Sequence, residues 1–396
     1  MLLEQTLFLK ILSDHLNCRK TESFSDSLDW SLIFHYAQIQ QVEGIVYCQC
    51  KSFLPDKVKN LFQDKYYASI DGYAKRKYLV EKLKGSLCAN KIESFIVKGF
   101  PVASFYPLAP LRTMCDTDII VHSSDRQRVH NILLEQGYIN DSCYEDREWI
   151  YYKGKYILEL HDRLIYSEAI NRRVHEDFFS EFWDYVHEGE LDWNYHFLYL
   201  ILHLRKHLMN YGVGFRQFMD VAVVYRNNAD LDWNWIVDHL VKLDLMDFSE
   251  IVFALNESWF GIKAPIKTKA IEKSVYECAT EQVFNNGVFG FDNEVNKDNL
   301  AVNIARNGKN AKTSMFFSAA RKIFPSYESL IRDTNYSFIT GKKWLLPVAW
   351  IYRIFKGTNK TDLSRNVNIV KSSFVSKDTI KKREEYLKLW GLDEVD

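Results

Sequence analysis

Cysteine is sparse and unpatterned in this 396-residue chain: there are seven, an odd number, and Cys48 and Cys50 form the one close pair. A C-x-C spacing does not suit a zinc knuckle, and a chain of this length needs no disulfide framework, so reduced thiols are expected. A basic excess is also missing, because 51 Lys and Arg stand against 52 Asp and Glu for a net charge of −1. Proteins that grip many phosphates of a polynucleotide show a basic surplus or stripe, so nucleic acid is disfavoured as a partner. No uninterrupted apolar run reaches about 18 residues, which argues against a membrane-spanning helix. The opening MLLEQTLFLKIL carries Glu4 inside its apolar stretch and lacks a cleavage site, so no signal peptide is expected and the chain is read as cytoplasmic.

What is present is ordinary globular composition, 47% hydrophobic and 26% charged. Aromatic residues reach 15%, and large rings at that density favour well-packed helices. From residue 2 to about 90 the apolar spacing is helical, with Leu3, Leu7 and Ile11 on one face, Ser27 or Asp29 as a cap for a second helix, and a longer helix over 61–88. The period then changes. Strands are expected at 94–97, 117–121, 148–153 and 155–161, the last two joined as a hairpin at Gly154, with a helix over 125–136 behind Ser123 and Ser124. After Ile170 helical spacing returns over 198–209, 215–226, 233–243 and 248–260. An Asn- and Gly-rich stretch, 285–312, reads as a mobile loop, and a last helical region ends at Arg353. Its 344–355 part mixes Trp, Leu and Ile with basic residues, which suits weak contact with a membrane surface or, with Pro347 interrupting it, a buried helix. The expected organisation is a helical segment over 1–90, an α/β core over 91–170 and a helical region over 171–396.

Three acids draw attention. Asp116 and Asp118 flank Thr117 at the mouth of an apolar strand, and residues two apart on a strand share a face at roughly 6–7 Å. Both carboxylates can then reach one hard cation, which prefers oxygen ligands. Glu159 alternates with apolar neighbours in Ile157-Leu-Glu-Leu-His161, and an acid in mid-strand needs a cationic partner, an arginine or a metal. Taken singly each pattern also fits a surface acid or a salt bridge. Lys98-Gly99 ends the first strand, where glycine permits close backbone approach to a phosphate and Lys98 offers a point cation.

The run Val97-Lys98-Gly99, Tyr106-Pro107, Leu111-Arg112 and Asp116-Thr-Asp118-Ile-Ile-Val121 resembles the uncharacterised nucleotidyltransferase family of the DNA polymerase β-like superfamily. Glu159-Leu-His161, His203 to His207, Arg216 to Asp220, Phe324-Pro-Ser326 and the Leu346 to Arg353 tail are similar to further elements of that family. The resemblance implies an α+β fold, a small mixed sheet of nucleotidyltransferase type embedded in helical N- and C-terminal segments. It also implies an enzyme that moves an NMP group from an NTP donor to an unidentified small-molecule or protein acceptor. Magnesium is the implied cofactor, as two ions, with manganese as a substitute, held by Asp116, Asp118 and Glu159. Two such ions about 3.5–4 Å apart would clamp the attacking and leaving oxygens. Lys98, Gly99 and Arg112 become the candidate phosphate contacts, and Arg112 also suits a structural ion pair. His161, on the strand face of Glu159, is read as orienting a carboxylate or as a packed histidine. His203 and His207 lie one turn apart and suit packing or substrate contact better than zinc, and Arg216 with Asp220 reads as an intrahelical ion pair. The superfamily's usual turn is Gly-Ser where this chain has Lys98-Gly99, so phosphotransfer stays open as an alternative. So do a toxin-like transferase acting on tRNA or protein, and an inactive nucleotide-binding protein.

Overall fold

A computed structural model of the chain describes residues 2–23, 28–142, 147–166, 173–210, 212–268, 270–288, 327–330, 338–339, 341–356, 385 and 387–392. The chain divides into two units, Met1–Phe291 with Trp390–Leu392, and Asp292–Leu389 with Asp393–Asp396.

Four helices open the first unit: α1 (Leu3–Leu16), α2 (Trp30–Gln40), α3 (Glu43–Cys50) and α4 (Asp56–Ala89). Asp29 caps α2, its carboxylate accepting from the Ser31 and Leu32 amides that the first turn leaves without intrahelical partners. The 34-residue α4 starts behind Pro55, five residues ahead of the expected 61, because its first turn is polar and carries little apolar periodicity.

The sheet then assembles from β1 (Ser94–Val97), β2 (Asp118–Val121), β3 (Ile139–Ser142), β4 (Trp149–Lys153) and β5 (Tyr156–His161), with α5 (Gly99–Ala103) and α6 (Arg126–Glu135) between them. Strand order is β1-β2-β5-β4-β3, and only the β2–β5 pair is parallel. Gly154, at φ +60°, makes the expected β4–β5 hairpin turn. The edge strand β3 is not among the expected strands; its sequence, Ile-Asn-Asp-Ser, is polar after its first residue and holds no aromatic ring, and it is held by pairing with β4.

Alternation along the strands divides their side chains between two faces. Ile119, Val121, Leu158 and Leu160 enter a core with Leu83 and Leu87 of α4 and Val129 and Leu133 of α6. Asp118, Glu159 and His161 therefore belong to the opposite face, toward the helices that follow. These are α7 (Arg173–Ser180), α8 (Trp193–Asn210), α9 (Phe215–Asn227), α10 (Trp233–Lys242), α11 (Met246–Phe260) and α12 (Lys273–Asn286), with a small ribbon of β6 (Val186–His187) and β7 (Glu190–Leu191) before α8. α11 stops at Gly261, whose left-handed backbone closes the helix. Of the loop expected over 285–312, Asn285 and Asn286 belong to α12 instead; residues 289–312 and Phe324-Pro-Ser326 lie outside the described residues.

The second unit contributes α13 (Tyr327–Leu330) and α14 (Leu346–Lys356), with Tyr327, Leu330, Ile339 and Ala349 buried together. The reading of 344–355 as a buried helix needs correction. Trp344, Val348, Ile351 and Tyr352 are all exposed, while Ala349 is buried and Leu345, Leu346 and Trp350 are partly buried against the same cluster. No described helix is long and apolar enough to cross a membrane.

Candidate active site

Register brings the central acids together. Asp118 opens β2, and its Cα partner across the parallel pair is Glu159 of β5. Neighbours in register on adjacent strands project the same way, and His161, two residues on, shares that face. One ligand atom each from Asp118, Glu159 and His161 lies within 4.8 Å of the others. His161 is thus in direct contact with both acids, its Nε2 at 3.2 Å from Asp118 Oδ1 and 3.3 Å from Glu159 Oε2.

Lys98 completes the group. Its Nζ stands 2.7 Å from Asp118 Oδ1, with 15% of the lysine side chain and 3% of the aspartate exposed. These are charge contacts rather than directed hydrogen bonds, for buried Asp118 Oδ1 and His161 Nε2 have no aligned hydrogen-bond partner. Burial opposes every charge here, and the neighbours decide the outcome. Burial favours the neutral Asp118 carboxyl, but Lys98 and His161 outweigh it and hold that carboxyl below the usual range. Burial also opposes charge on His161, yet Asp118 and Glu159 raise it to about 9. Glu159 goes the other way: burial, with Asp118 and Asp116 nearby, lifts its pKa despite His161.

These residues line a cavity of about 360 Å³ with Asp116, Gly99, Arg112 and Met114. Asp116 precedes β2 and lies outside the Asp118–Glu159–His161 cluster, although its charge is felt by Lys98 and Glu159. Gly99 is buried with Met114 against it, and a Cβ there would lie 3.1 Å from Met114 Sδ. The far wall is one stripe of α8, Tyr199, His203, Lys206 and His207. His203 and His207 meet Nε2 to Nε2 at 2.9 Å. Burial, reinforced by Lys98, lowers both pKa values, His207 to about 3.

The Arg216–Asp220 pair expected within one helix is replaced by longer connections. Asp220 receives Arg112 through two bonds, Nε to Oδ1 at 3.1 Å and an Nη to Oδ2 at 2.7 Å, and the Tyr106 hydroxyl at 2.7 Å. Arg216 turns instead to the Gln41 side chain and to the carbonyl and hydroxyl of Thr113. Arg112 thus spends two donors on the structural ion pair and fastens the 112–116 segment to α9. Arg76 of α4 supports that segment from behind, donating to the carbonyls of Met114, Cys115 and Ile157. Arg76, His196 and Tyr199 had no signal in the sequence beyond helical spacing. Their importance comes from partners far along the chain.

A divalent cation fits the cluster on its donor chemistry. Two carboxylates and an imidazole converge, and a carboxylate oxygen and a ring nitrogen in the group are buried without aligned partners. The six described cysteines are free thiols and take no part in the group.

A mixed sheet with acids meeting across its central parallel pair, beneath a helical cover, is the core of a nucleotidyltransferase. The chain belongs to the uncharacterised nucleotidyltransferase family, whose model matches residues 26–261. That membership supports a generic nucleotidyl-transfer function and implies a nucleoside triphosphate as the substrate class. No curated protein and no solved structure matches the chain.

Proposed function

We propose that the protein transfers an NMP group from an NTP to a hydroxyl of a small-molecule or protein acceptor, in the cytoplasm, with Asp116, Asp118 and Glu159 holding magnesium or manganese as the cofactor. The observation that carries this reading is the cross-strand register of Asp118 with Glu159, which gathers two carboxylates and His161 at one end of a cavity large enough for part of a nucleotide. When bound, a divalent ion there supplies charge neutralisation at the phosphates and activation of the attacking oxygen.

The chain's own residues divide the remaining work. The acceptor oxygen attacks the α-phosphorus, the bond to the departing pyrophosphate breaks, and the acceptor proton passes to Glu159, the carboxylate that lines the cavity opposite Asp118. Lys98 meets phosphate charge in the transition state, the role for which a point cation is suited. Asp116 lies beside the cluster and joins Asp118 at the cation. His161 holds both carboxylates in place through its ring nitrogen. The 91–170 segment supplies the acids, and the helical regions on either side supply the walls. A net charge of −1 supports an acceptor other than a polynucleotide.

The test is incubation of the protein with each α-labelled NTP, magnesium and a cell extract. Label should move to a product whose mass rises by one NMP, and Asp118→Asn should give none. Parallel incubations with γ-labelled NTPs separate the alternative: label moving from the γ position to an adduct of phosphate mass assigns phosphotransfer instead, and no labelled product from either label across all NTPs refutes transferase activity.

A further inference from the structure

We propose that Lys98 is the resident counter-ion of Asp118 and competes with the divalent cation for the same carboxylate oxygen, so that cation entry releases its ammonium to the phosphates of the donor. This rests on the cation-binding reading given above.

Three observations lead there. Lys98 Nζ stands 2.7 Å from Asp118 Oδ1, the oxygen that also faces His161. A divalent ion using that oxygen would meet the ammonium at close range, and two cations cannot share it without strong repulsion. Lys98, Asp118 and Glu159 line one cavity, so the contact faces the space that the cation and the donor would enter.

The lysine's position is also enforced. Lys98 has φ +60° and ψ −107°, a backbone conformation suited to glycine and costly for a side chain. Such strain persists only where the surroundings over-determine it. Here the Lys98 amide donates to His196 Nε2 at 3.0 Å. His196 is 1% exposed and stacks on Trp193, with ring centres 4.7 Å apart. His196 is therefore a positioning residue: it fixes the backbone from which the ammonium reaches Asp118.

A displaced ammonium needs another anion, since a buried unpaired charge is expensive. The triphosphate of a bound donor supplies one within the same cavity. Cation and nucleotide should then bind cooperatively, each removing an obstacle to the other.

The experiment measures Mn2+ binding to the full chain by the loss of the free-ion paramagnetic signal, at one pH, with and without a non-hydrolysable NTP. Lys98→Gly removes both charge and backbone strain, and Lys98→Met removes the charge while keeping the bulk. Both should bind Mn2+ about tenfold more tightly than the natural protein in the absence of nucleotide. The gain in Mn2+ affinity on adding nucleotide should shrink in both. His196→Phe keeps the stacking and removes the acceptor; it should tighten Mn2+ binding in the Lys98 protein and have no further effect beside Lys98→Gly. Mn2+ binding to the natural protein with no gain in either Lys98 variant overturns the competition alone. No Mn2+ binding in any of the proteins overturns the cation site, and the competition with it.

Discussion

Arg112 and Asp220, 108 positions apart, form a two-point ion pair in which both side chains are buried and the Tyr106 hydroxyl shares the carboxylate. Truncating one partner of a buried pair strands the other charge in a poorly solvating interior. Asp220→Asn should cost about 3–5 kcal/mol in urea unfolding, and Tyr106→Phe about 1 kcal/mol. A loss under about 1 kcal/mol for Asp220→Asn would mean that the pair is dispensable to the fold.

Glu159 carries a charge that its surroundings resist, because burial and two neighbouring acids favour the protonated form. Glu159→Gln should leave the thermal midpoint of the cation-free protein unchanged or raise it, while lowering turnover at least about 100-fold. Turnover within a few-fold of the natural protein would remove Glu159 from the proton-transfer role.

Gly287 has a positive φ of +60°, and a Cβ there would lie 2.7 Å from the Ile39 carbonyl oxygen, which accepts from the next amide, that of Val288. Neither backbone atom can move aside cheaply. Gly287→Ala should destabilise by about 1–3 kcal/mol, read by denaturant midpoint. Gly99→Ala, which meets only the flexible end of Met114, should cost less.

Burial depresses two further histidines, His15 to about 4 and, with Lys98 adding to the effect, His196 to about 3. Both are held neutral in the folded state and take up protons more readily when unfolded. Their contribution to stability is therefore fully present above pH about 6.5 and is lost as pH falls from there toward 4 and 3. Unfolding free energy measured from pH 7 to 4 should decline, and His15→Gln should flatten part of that slope. An unchanged slope in that variant would show that His15 does not titrate on unfolding.

Much of this was readable before any coordinates. Short apolar runs bounded by turn residues gave β1 and β2, and Gly154 between two runs gave the β4–β5 hairpin, and with them the two strands that carry Asp118 and Glu159. Local spacing could place each acid at a strand mouth or in mid-strand. It could not show that the two strands pair in parallel with those residues opposite each other, because a register is fixed by tertiary packing. The same limit explains Arg216 and Asp220. Their i,i+4 spacing suggested mutual pairing, but each found a partner more than 100 positions away that was better buried or better aligned. Lys98 was visible as a cation after a strand. Its left-handed backbone was not, since nothing short of the His196 contact would hold a lysine there.

Arg76 gives the long α4 helix a role that reaches beyond packing. From the middle of that helix its guanidinium holds the carbonyls of Met114 and Cys115, immediately before Asp116, and that of Ile157, two residues ahead of Glu159. An excised 91–170 fragment would keep all three acids yet lose the clasp that sets the two acid-bearing segments at a fixed spacing. The placing of the acids is therefore set from outside the sheet, and a minimal version that keeps it would have to begin upstream of α4.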